Sequence, residues 1–138
     1  MPKYLTIGTY DGVHLGHRRI IGALIRESVK YRQDCALAYF PEPPKFFFSG
    51  ESENCLITLP EEREQLIRGL GVGGISRIPF DAGLAEMSAE TFFSSVIVKA
   101  HDASGLYVGR DFAVGKGRLG NLEFLRKRCA AAGMRFRA

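Results

Sequence analysis

A glycine-rich turn near the N-terminus carries two histidines, His14 and His17, with Gly16 between them. The apolar residues that follow recur at helical spacing, so both histidines are predicted to lie on one face at the start of a helix. Imidazole N–H groups at the positive end of a helix can donate hydrogen bonds to phosphate oxygens, beside the free amides of the first turn. The missing side chain of Gly16 lets a ligand approach the backbone. This turn is therefore predicted to bind a phosphate chain.

A second glycine-rich loop, residues 109–120, combines small residues with cations. Its Gly115-Lys116 pair is close to the end of a P-loop motif, but Gly117 stands where that motif requires Ser or Thr. The loop is therefore not predicted to be a P-loop. Its small residues still let backbone amides approach phosphate, and Lys116 and Arg118 add positive charge.

Two other interpretations of the histidines are a zinc pair and ordinary surface residues. Zinc requires a third and a fourth ligand, and only Asp11 or His101 could supply them. The cysteines, Cys35, Cys55 and Cys129, form no C-x-x-C motif and cannot all pair. No disulfide framework or zinc ribbon is predicted, and a reducing, cytoplasmic location is expected.

Composition excludes several classes of protein. The 138 residues suit one domain, and the 46% hydrophobic and 25% charged residues argue against disorder. Apolar residues never run for about 18 positions, so no membrane association is expected. The net charge of +4 suits an anionic ligand such as a nucleotide. No nucleic-acid partner is expected, because the sequence has no recognition-helix motif or aromatic-basic RNA signature.

Strand and helix patterns alternate along the chain. Strands are predicted at about 3–9, 35–40, 75–79, 106–108 and 134–136, and helices at about 15–31, 60–69, from Ser88 onward, and 121–132. The alternation predicts an α/β fold with a parallel sheet of about five strands covered by helices. Ligands bind such sheets beyond the carboxyl ends of the strands, which is where the loops 8–16 and 109–120 would lie.

Apolar spacing also predicts which helix faces are buried. The two sets are Ile20, Ile21, Leu24, Ile25 and Val29 in the first helix, and Phe92, Phe93, Val96 and Ile97 in the third. A long loop at 41–58 contains the run Phe46-Phe47-Phe48. Because three adjacent aromatic rings cannot all turn inward, at least one is predicted to cover a ligand or a partner.

Two long motifs make the chain similar to a known family. The segment 7–17, Ile-Gly-Thr-Tyr-Asp-Gly-Val-His-Leu-Gly-His, resembles the H-x-G-H nucleotidyltransferase signature in its wider form G-x-F-D-G-V-H-x-G-H. The segment 108–121 resembles V-G-x-D-F-x-F-G-K-x-R-x-G-D/N, and residues 79–92 match the stretch between the motifs. These motifs are those of the FAD synthetase domain in the bacterial bifunctional riboflavin kinase/FAD synthetase family, and the resemblance covers 1–138 as one domain.

The resemblance implies a Rossmann-like nucleotidyltransferase fold with helices on both faces of the sheet. It also implies a transferase that moves AMP from ATP to FMN and gives FAD and pyrophosphate, with Mg²⁺ held through the ATP phosphates rather than by the protein. His14 and His17 would be catalytic, donating to the phosphates. ATP would be bound by Gly8, Thr9, Tyr10, Asp11, His14, Gly16, His17, Gly109, Asp111, Gly115, Lys116 and Arg118. The flavin would be bound by Tyr39, Pro41, Pro43, Phe46 and Phe47.

The chain departs from the family pattern in several places. Tyr10 replaces a phenylalanine, Glu42 stands where histidine is common, and Val114 replaces the second phenylalanine of D-F-x-F-G. The family's S-S/T-x-x-R segment and its riboflavin kinase domain are not among the 138 residues, so the domain is expected to be truncated at its C-terminus. Two alternatives therefore stay open. One is a nucleotide-binding module without turnover, and the other is an H-x-G-H transferase with a different phosphate acceptor.

Overall fold

The computed structural model describes residues 2–10, 15–41 and 59–138, with only the backbone given at residues 15 and 16. Its strands are β1 (Lys3–Gly8), β2 (Asp34–Tyr39), β3 (Gly74–Arg77), β4 (Ala103–Tyr107) and β5 (Arg135–Arg137). They form one sheet in the order β3-β2-β1-β4-β5, and every neighbouring pair is parallel. The predicted α/β class, with five parallel strands, is confirmed.

The longer helices are α1 (Leu15–Lys30), α2 (Pro60–Gly69) and α5 (Leu122–Ala131). A short helix, α3, spans Ala82–Glu86, and α4 begins as an α-helical turn over Ala89–Thr91 and continues as a π-helix over Phe92–Ala100. A 3₁₀ turn spans Lys116–Arg118. No helix in the described ranges is long and apolar enough to cross a membrane.

The helices cover both faces of the sheet, because side chains alternate along each strand. In β1, Leu5 and Ile7 point into a core with α4 and α5, whereas Tyr4 contributes to a second core with α1 and α2. The core under α4 and α5 includes Phe93 and Leu125. The predicted coverage of both faces is therefore confirmed.

Polar residues set the helix starts where the sequence predicts them. Pro60 opens α2, and the N–H of Leu59 donates to the Glu62 carboxylate at 3.3 Å. Ser88 accepts a hydrogen bond from the Thr91 N–H at the start of α4. Asn121 accepts one from the Phe124 N–H at 3.0 Å at the start of α5.

One residue of the predicted α1 face is wrong. Val29 is 76% exposed, whereas Ser28 is buried and donates to the Leu24 carbonyl at 2.6 Å. The buried side of α1 carries Ile21, Leu24 and Ser28. Val29, the residue after Ser28, is rotated by about 100° around the helix axis and so points away from that side. The predicted face includes Val29 because it follows Ile25 by four residues and is the apolar residue of the last turn.

The π-helix and α3 are absent from the sequence prediction. In α4 the buried Phe92 and Ile97 are five residues apart, a spacing that matches the wider π turn, and Val96 is only half-buried. Before α4, Asp81 accepts a hydrogen bond from the Leu84 N–H at 2.8 Å and so starts α3. The strand predicted at 75–79 spans Gly74–Arg77 in the structure.

The last strand is held to the first helix by an ionic cluster. Arg137 donates to the Glu27 carboxylate at 2.7 Å, and Arg135 lies 3.4 Å from it. The hydroxyl of Tyr107 also donates to Glu27, at 2.9 Å. The cluster therefore joins α1 to β4 and β5 on one face of the sheet.

Candidate active site

The candidate site lies where the chain leaves the central strand. β1 is the central strand of the sheet. The chain adds β2 and then β3 on one side of β1, and afterwards adds β4 and then β5 on its other side. The carboxyl ends of β1 and β4 are adjacent, since Thr6 pairs with Tyr107 in the sheet. Parallel sheets form a ligand-binding crevice at such a reversal of strand order. Both glycine-rich loops begin at this edge of the sheet, as predicted.

The turn after β1 folds back on its own strand. Tyr10 has a left-handed backbone, with φ of 53°, and its side chain is 3% exposed. A Cβ atom at Gly8 would lie 3.0 Å from the Tyr10 ring, so glycine allows the ring to pack closely against the strand. The Tyr10 hydroxyl is hydrogen-bonded to the Thr6 hydroxyl inside the protein. Burial raises the pKa of Tyr10, which keeps the phenol protonated.

His17 lies in the first turn of α1 and contacts Tyr10. The two ring centroids are 4.9 Å apart and the planes meet at 73°, an edge-to-face arrangement. His17 is half-buried at the positive end of a 16-residue helix, where an anionic ligand is favoured. The structure thus brings Gly8, Thr9, Tyr10 and His17 together. The predicted residues Asp11 and His14 lie outside the described residues, and Gly16 is described only as backbone within α1.

The second loop is packed on the start of α4. Val114 and Gly120 exchange two backbone hydrogen bonds of 2.9 Å, which close the loop. Gly115 has φ of 82°, and a Cβ atom there would lie 2.4 Å from the Ala89 nitrogen. The Lys116 N–H donates to the Met87 carbonyl at 2.8 Å. In this structure the glycine at position 115 serves the packing of the loop, a role that the sequence analysis did not predict.

The side chains of Lys116 and Arg118 in the second loop have protein partners. Lys116 pairs with the Glu86 carboxylate at 2.8 Å, and this hydrogen bond raises the pKa of Lys116. Arg118 donates to the Asp111 carbonyl at 2.7 Å. An open cavity of about 430 Å³ is lined by Arg110, Asp111, Phe112, Ala113, Arg118, Asn121, Leu122 and Glu123. Of the loop residues predicted to bind ATP, Asp111 and Arg118 line this cavity, whereas Gly109, Gly115 and Lys116 lie outside its lining.

Tyr39, predicted to bind the flavin, is buried at the end of β2. Its hydroxyl donates to the Glu64 carboxylate at 2.5 Å, and the Nε–H of Arg77 donates to the same oxygen at 2.5 Å. Burial and the bond to Glu64 raise the pKa of Tyr39 to about 12. In this structure Tyr39 has no accessible surface and packs in the second core. Pro41 is half-buried at the strand exit, and Pro43, Phe46 and Phe47 lie outside the described residues.

A buried arginine, Arg63 of α2, joins the exits of β1 and β2. Its Nη1 donates to the carbonyls of Thr9 at 2.9 Å and Phe40 at 3.1 Å, and its Nη2 lies 3.4 Å from the Pro41 carbonyl. Sequence reasoning missed it, because the charged segment 60–64 reads as a solvated helix face. The available signal is its position one helical turn before the apolar Ile67, which is also buried.

No group of three His, Cys, Asp or Glu side chains able to hold a metal is found in the described part of the chain. His101, considered above as a zinc ligand, uses both ring nitrogens within the protein. One lies 2.6 Å from the Val96 carbonyl and the other 2.9 Å from the Ser76 hydroxyl. This arrangement makes His101 a bridge between α4 and β3.

Comparison with known proteins places these features in a family. A family model described as FAD synthetase matches residues 1–138. The bifunctional riboflavin kinase/FMN adenylyltransferase of Escherichia coli (strain K12) is 33% identical over 132 residues, which are 96% of this chain and 41% of that protein. The protein of the same name from Pseudomonas fluorescens is 31% identical over 120 residues, 87% of this chain and 38% of its own length. The chain spans about two fifths of the length of these curated relatives.

Solved structures support the same fold. A crystal structure described as a macrolide-efflux protein from Streptococcus pneumoniae matches with a TM-score of 0.85 at 23% identity, over 100% of this chain and 53% of that one. At this identity the likeness concerns the fold alone. The family match, in contrast, extends over the whole chain and agrees with both sequence motifs, so the chain belongs to the FAD synthetase family.

Proposed function

We propose that this chain, acting as one domain over residues 1–138, is an FMN adenylyltransferase. It would transfer AMP from Mg-ATP to FMN and release pyrophosphate. The observation that carries the proposal is the position of His17, in the first turn of α1 at the crevice beside β4, in a chain of the FAD synthetase family. The names of the curated relatives include the same activity.

The proposed reaction is a direct displacement at phosphorus. A phosphate oxygen of FMN attacks the α-phosphorus of ATP, a new P–O–P bond forms, and the bond to the β-phosphate breaks as pyrophosphate leaves. No covalent intermediate on the protein is needed. Negative charge grows on the leaving group, so catalysis rests on positioning and on fixed hydrogen-bond donors. The imidazole of His17 and the free amides at the start of α1 are suited to that role, with His14 as its predicted companion.

The second loop would form the other wall of the nucleotide site. Asp111 and Arg118 line the open cavity that follows β4, the strand adjacent to β1. Lys116 is paired with Glu86, but both side chains are about two-thirds exposed, so the pair can open at little cost and release the cation to a phosphate. Gly109, Gly115 and Lys116 would then act from the rim of the cavity. Magnesium would enter as part of the Mg-ATP substrate.

The acceptor side of the site would be formed by the chain that follows β2. Pro41 begins this segment, and Pro43, Phe46 and Phe47 are its predicted flavin contacts. Tyr39, at the end of β2, is the remaining predicted flavin contact, and its bond to Glu64 would fix the position of its hydroxyl. The relatives' names combine this activity with riboflavin kinase, so we propose such a kinase domain as the partner that supplies FMN.

The proposal is tested by incubating the full chain with FMN and ATP labelled at the α-phosphorus, in the presence of Mg²⁺. The label should move into FAD, resolved by chromatography, while label at the γ-position should appear in pyrophosphate. Riboflavin is the matched control acceptor, because it lacks the attacking phosphate, and it should give no labelled product. Labelled ATP that binds without turnover would instead favour the nucleotide-binding module. Release of pyrophosphate with another phosphate acceptor would favour a different transferase.

A further inference from the structure

Arg63 is a charged residue in the protein interior, where burying a charge is energetically unfavourable. Its side chain has no accessible surface, and its Cζ lies 5.0 Å from the centroid of the Tyr39 ring. Moving a guanidinium out of water is favourable only when its N–H groups find good acceptors. The acceptors here include three backbone carbonyls, those of Thr9, Phe40 and Pro41.

These carbonyls belong to two separate segments of the chain. Thr9 follows β1 and leads into the turn of His14 and His17, whereas Phe40 and Pro41 follow β2 and lead into residues 42–58. The N–H of Phe40 also donates to the Gly8 carbonyl at 3.1 Å, beyond the end of the strand ladder. The guanidinium and this backbone bond therefore both link the two strand exits.

Two other charged residues of α2 lie on its exposed face. Glu61 is 71% exposed and Arg68 is 56% exposed, although Arg68 carries the same side chain as Arg63. A cation needed only for solubility would lie on that outer face. The inward placement of Arg63, toward the loop side of the sheet, needs another explanation.

We infer that Arg63 is a positioning residue that sets the distance between the nucleotide turn after β1 and the acceptor segment after β2. The inference rests on the proposed function. The two loops would carry the two reactants, so their separation fixes the distance from the FMN phosphate to the α-phosphorus. A misplacement of about 1 Å between reacting groups lowers a rate by about a hundredfold.

Arginine has a geometry that lysine lacks. Nη1 of its planar fork donates to a carbonyl on each segment, in directions that the rigid guanidinium fixes, whereas the single ammonium of lysine is a flexible point charge. Arg63→Lys keeps the positive charge but loses the fork. We therefore expect this variant to fold, to bind each substrate, and to hold the two exits less firmly.

The test compares Arg63→Lys with Arg68→Lys, a matched change on the exposed face of the same helix. Turnover per folded molecule is measured with both substrates saturating, and the Kd values of Mg-ATP and FMN are measured separately. Arg63→Lys should lower kcat at least tenfold while each Kd changes less than about threefold. Arg68→Lys should behave as the wild type. A lowered Tm with unchanged kcat per folded molecule would make Arg63 a stabilising residue only and overturn the inference.

Amide hydrogen exchange without ligands gives a second readout that does not depend on turnover. The Phe40 amide, which bonds to Gly8 across the two exits, should exchange about tenfold faster in Arg63→Lys, while Leu106 in the sheet centre keeps its rate. Equal rates at Phe40 in both proteins would overturn the inference. If the wild type makes no FAD, the proposed function fails, and the Phe40 exchange rate alone decides whether Arg63 links the exits.

Discussion

The imidazole of His17 stands edge-on to the ring of Tyr10, with their centroids 4.9 Å apart. Tyr10 belongs to the turn after the central strand, and His17 to the first turn of the helix that follows. The Tyr10 hydroxyl is bonded to Thr6, inside the strand itself. The orientation of the proposed catalytic histidine is therefore tied, through one aromatic ring, to the centre of the sheet.

His17→Ala is expected to lower the turnover of FMN to FAD by well over tenfold, because a fixed donor to the leaving phosphates is lost. Its side chain is only half-buried, so the far-ultraviolet circular dichroism and Tm should change little. Initial rates of FAD formation measure the effect. Unchanged turnover would remove His17 from the mechanism.

The matched control for that variant is His101→Ala, which removes the histidine between Ser76 and Val96 at the far end of α4. It should destabilise the protein by about 1 kcal/mol through lost hydrogen bonds. Turnover per folded molecule should stay at the wild-type value, since His101 is not part of the proposed site.

The hydroxyl groups of Tyr10 and Thr6 are expected to contribute to the free energy of unfolding in a strongly non-additive way. Tyr10→Phe leaves a buried Thr6 hydroxyl without its partner and should destabilise by about 2 kcal/mol, and Thr6→Val should do the same to Tyr10. The double variant removes both polar groups and should lie within about 1 kcal/mol of the wild type. Urea denaturation of the four proteins measures the cycle. Additive losses would show that the two hydroxyls do not depend on each other.

Gly115→Ala should disrupt the packing of the second loop against the start of α4. The added Cβ would lie 2.4 Å from the Ala89 nitrogen, at a backbone φ of 82° that disfavours any side chain. Overpacking and backbone strain together predict a loss of about 3 kcal/mol or more in the free energy of unfolding. Gly109→Ala, in the same loop with open space around it, is the stability control and should stay within about 0.5 kcal/mol of the wild type. Equal stability of both variants would contradict this packing.

Sequence patterns predicted the order of strands and helices because the buried apolar residues recur at the spacings typical of strands and helices. The alternation of Leu5 and Ile7 with polar or opposite-facing neighbours, and the polar caps at Ser88 and Asn121, are local signals that the folded state keeps. The position of the turn before His17 follows from the same local rules. These features needed no knowledge of distant contacts.

The missed features depend on distant contacts. Arg63 is buried because carbonyls from two other segments converge on it, and no spacing within α2 shows those partners. Tyr39 lies in a predicted strand, but no local pattern shows that its hydroxyl donates to Glu64, to which Arg77 also donates. Gly115 reads as a phosphate-loop glycine, but Ala89 occupies the space its side chain would need. In each case tertiary packing decides the role.

The Tyr39–Glu64–Arg77 cluster predicts a pH dependence of stability. Burial opposes ionisation of Glu64, but hydrogen bonds from Tyr39 and Arg77 outweigh it and hold the pKa of Glu64 below its ordinary value of 4.5. Below that pH the unfolded chain binds more protons than the folded one. The stabilisation from ionised Glu64 is therefore complete above about pH 4.5 and is lost as the pH falls through the folded-state pKa.

Glu64→Gln should remove this dependence. Urea denaturation between about pH 3 and pH 7 should show that the variant loses about 2 kcal/mol of its free energy of unfolding at neutral pH. That free energy should also fall less steeply than the wild type's as the pH drops. Glu61→Gln, which removes the exposed carboxylate 3.6 Å from Arg77, should keep the wild-type slope. If the free energy of unfolding of Glu64→Gln falls at low pH as steeply as that of the wild type, other carboxylates cause the pH dependence.

The position of β1 at the centre of the sheet has a consequence for the order in which the molecule can be completed. On the ribosome, β1 can pair with β2 early, but its other neighbour, β4, is made only when residues 103–107 emerge. Until then the open side of β1 exposes a row of unpaired backbone groups, which invites misassembly. The bonds that Arg135 and Arg137 donate to Glu27 then hold β5 against α1. The crevice beside β1 exists only after β4 has paired with it, so a nascent chain would be unable to engage its nucleotide before residues 103–107 have joined the sheet.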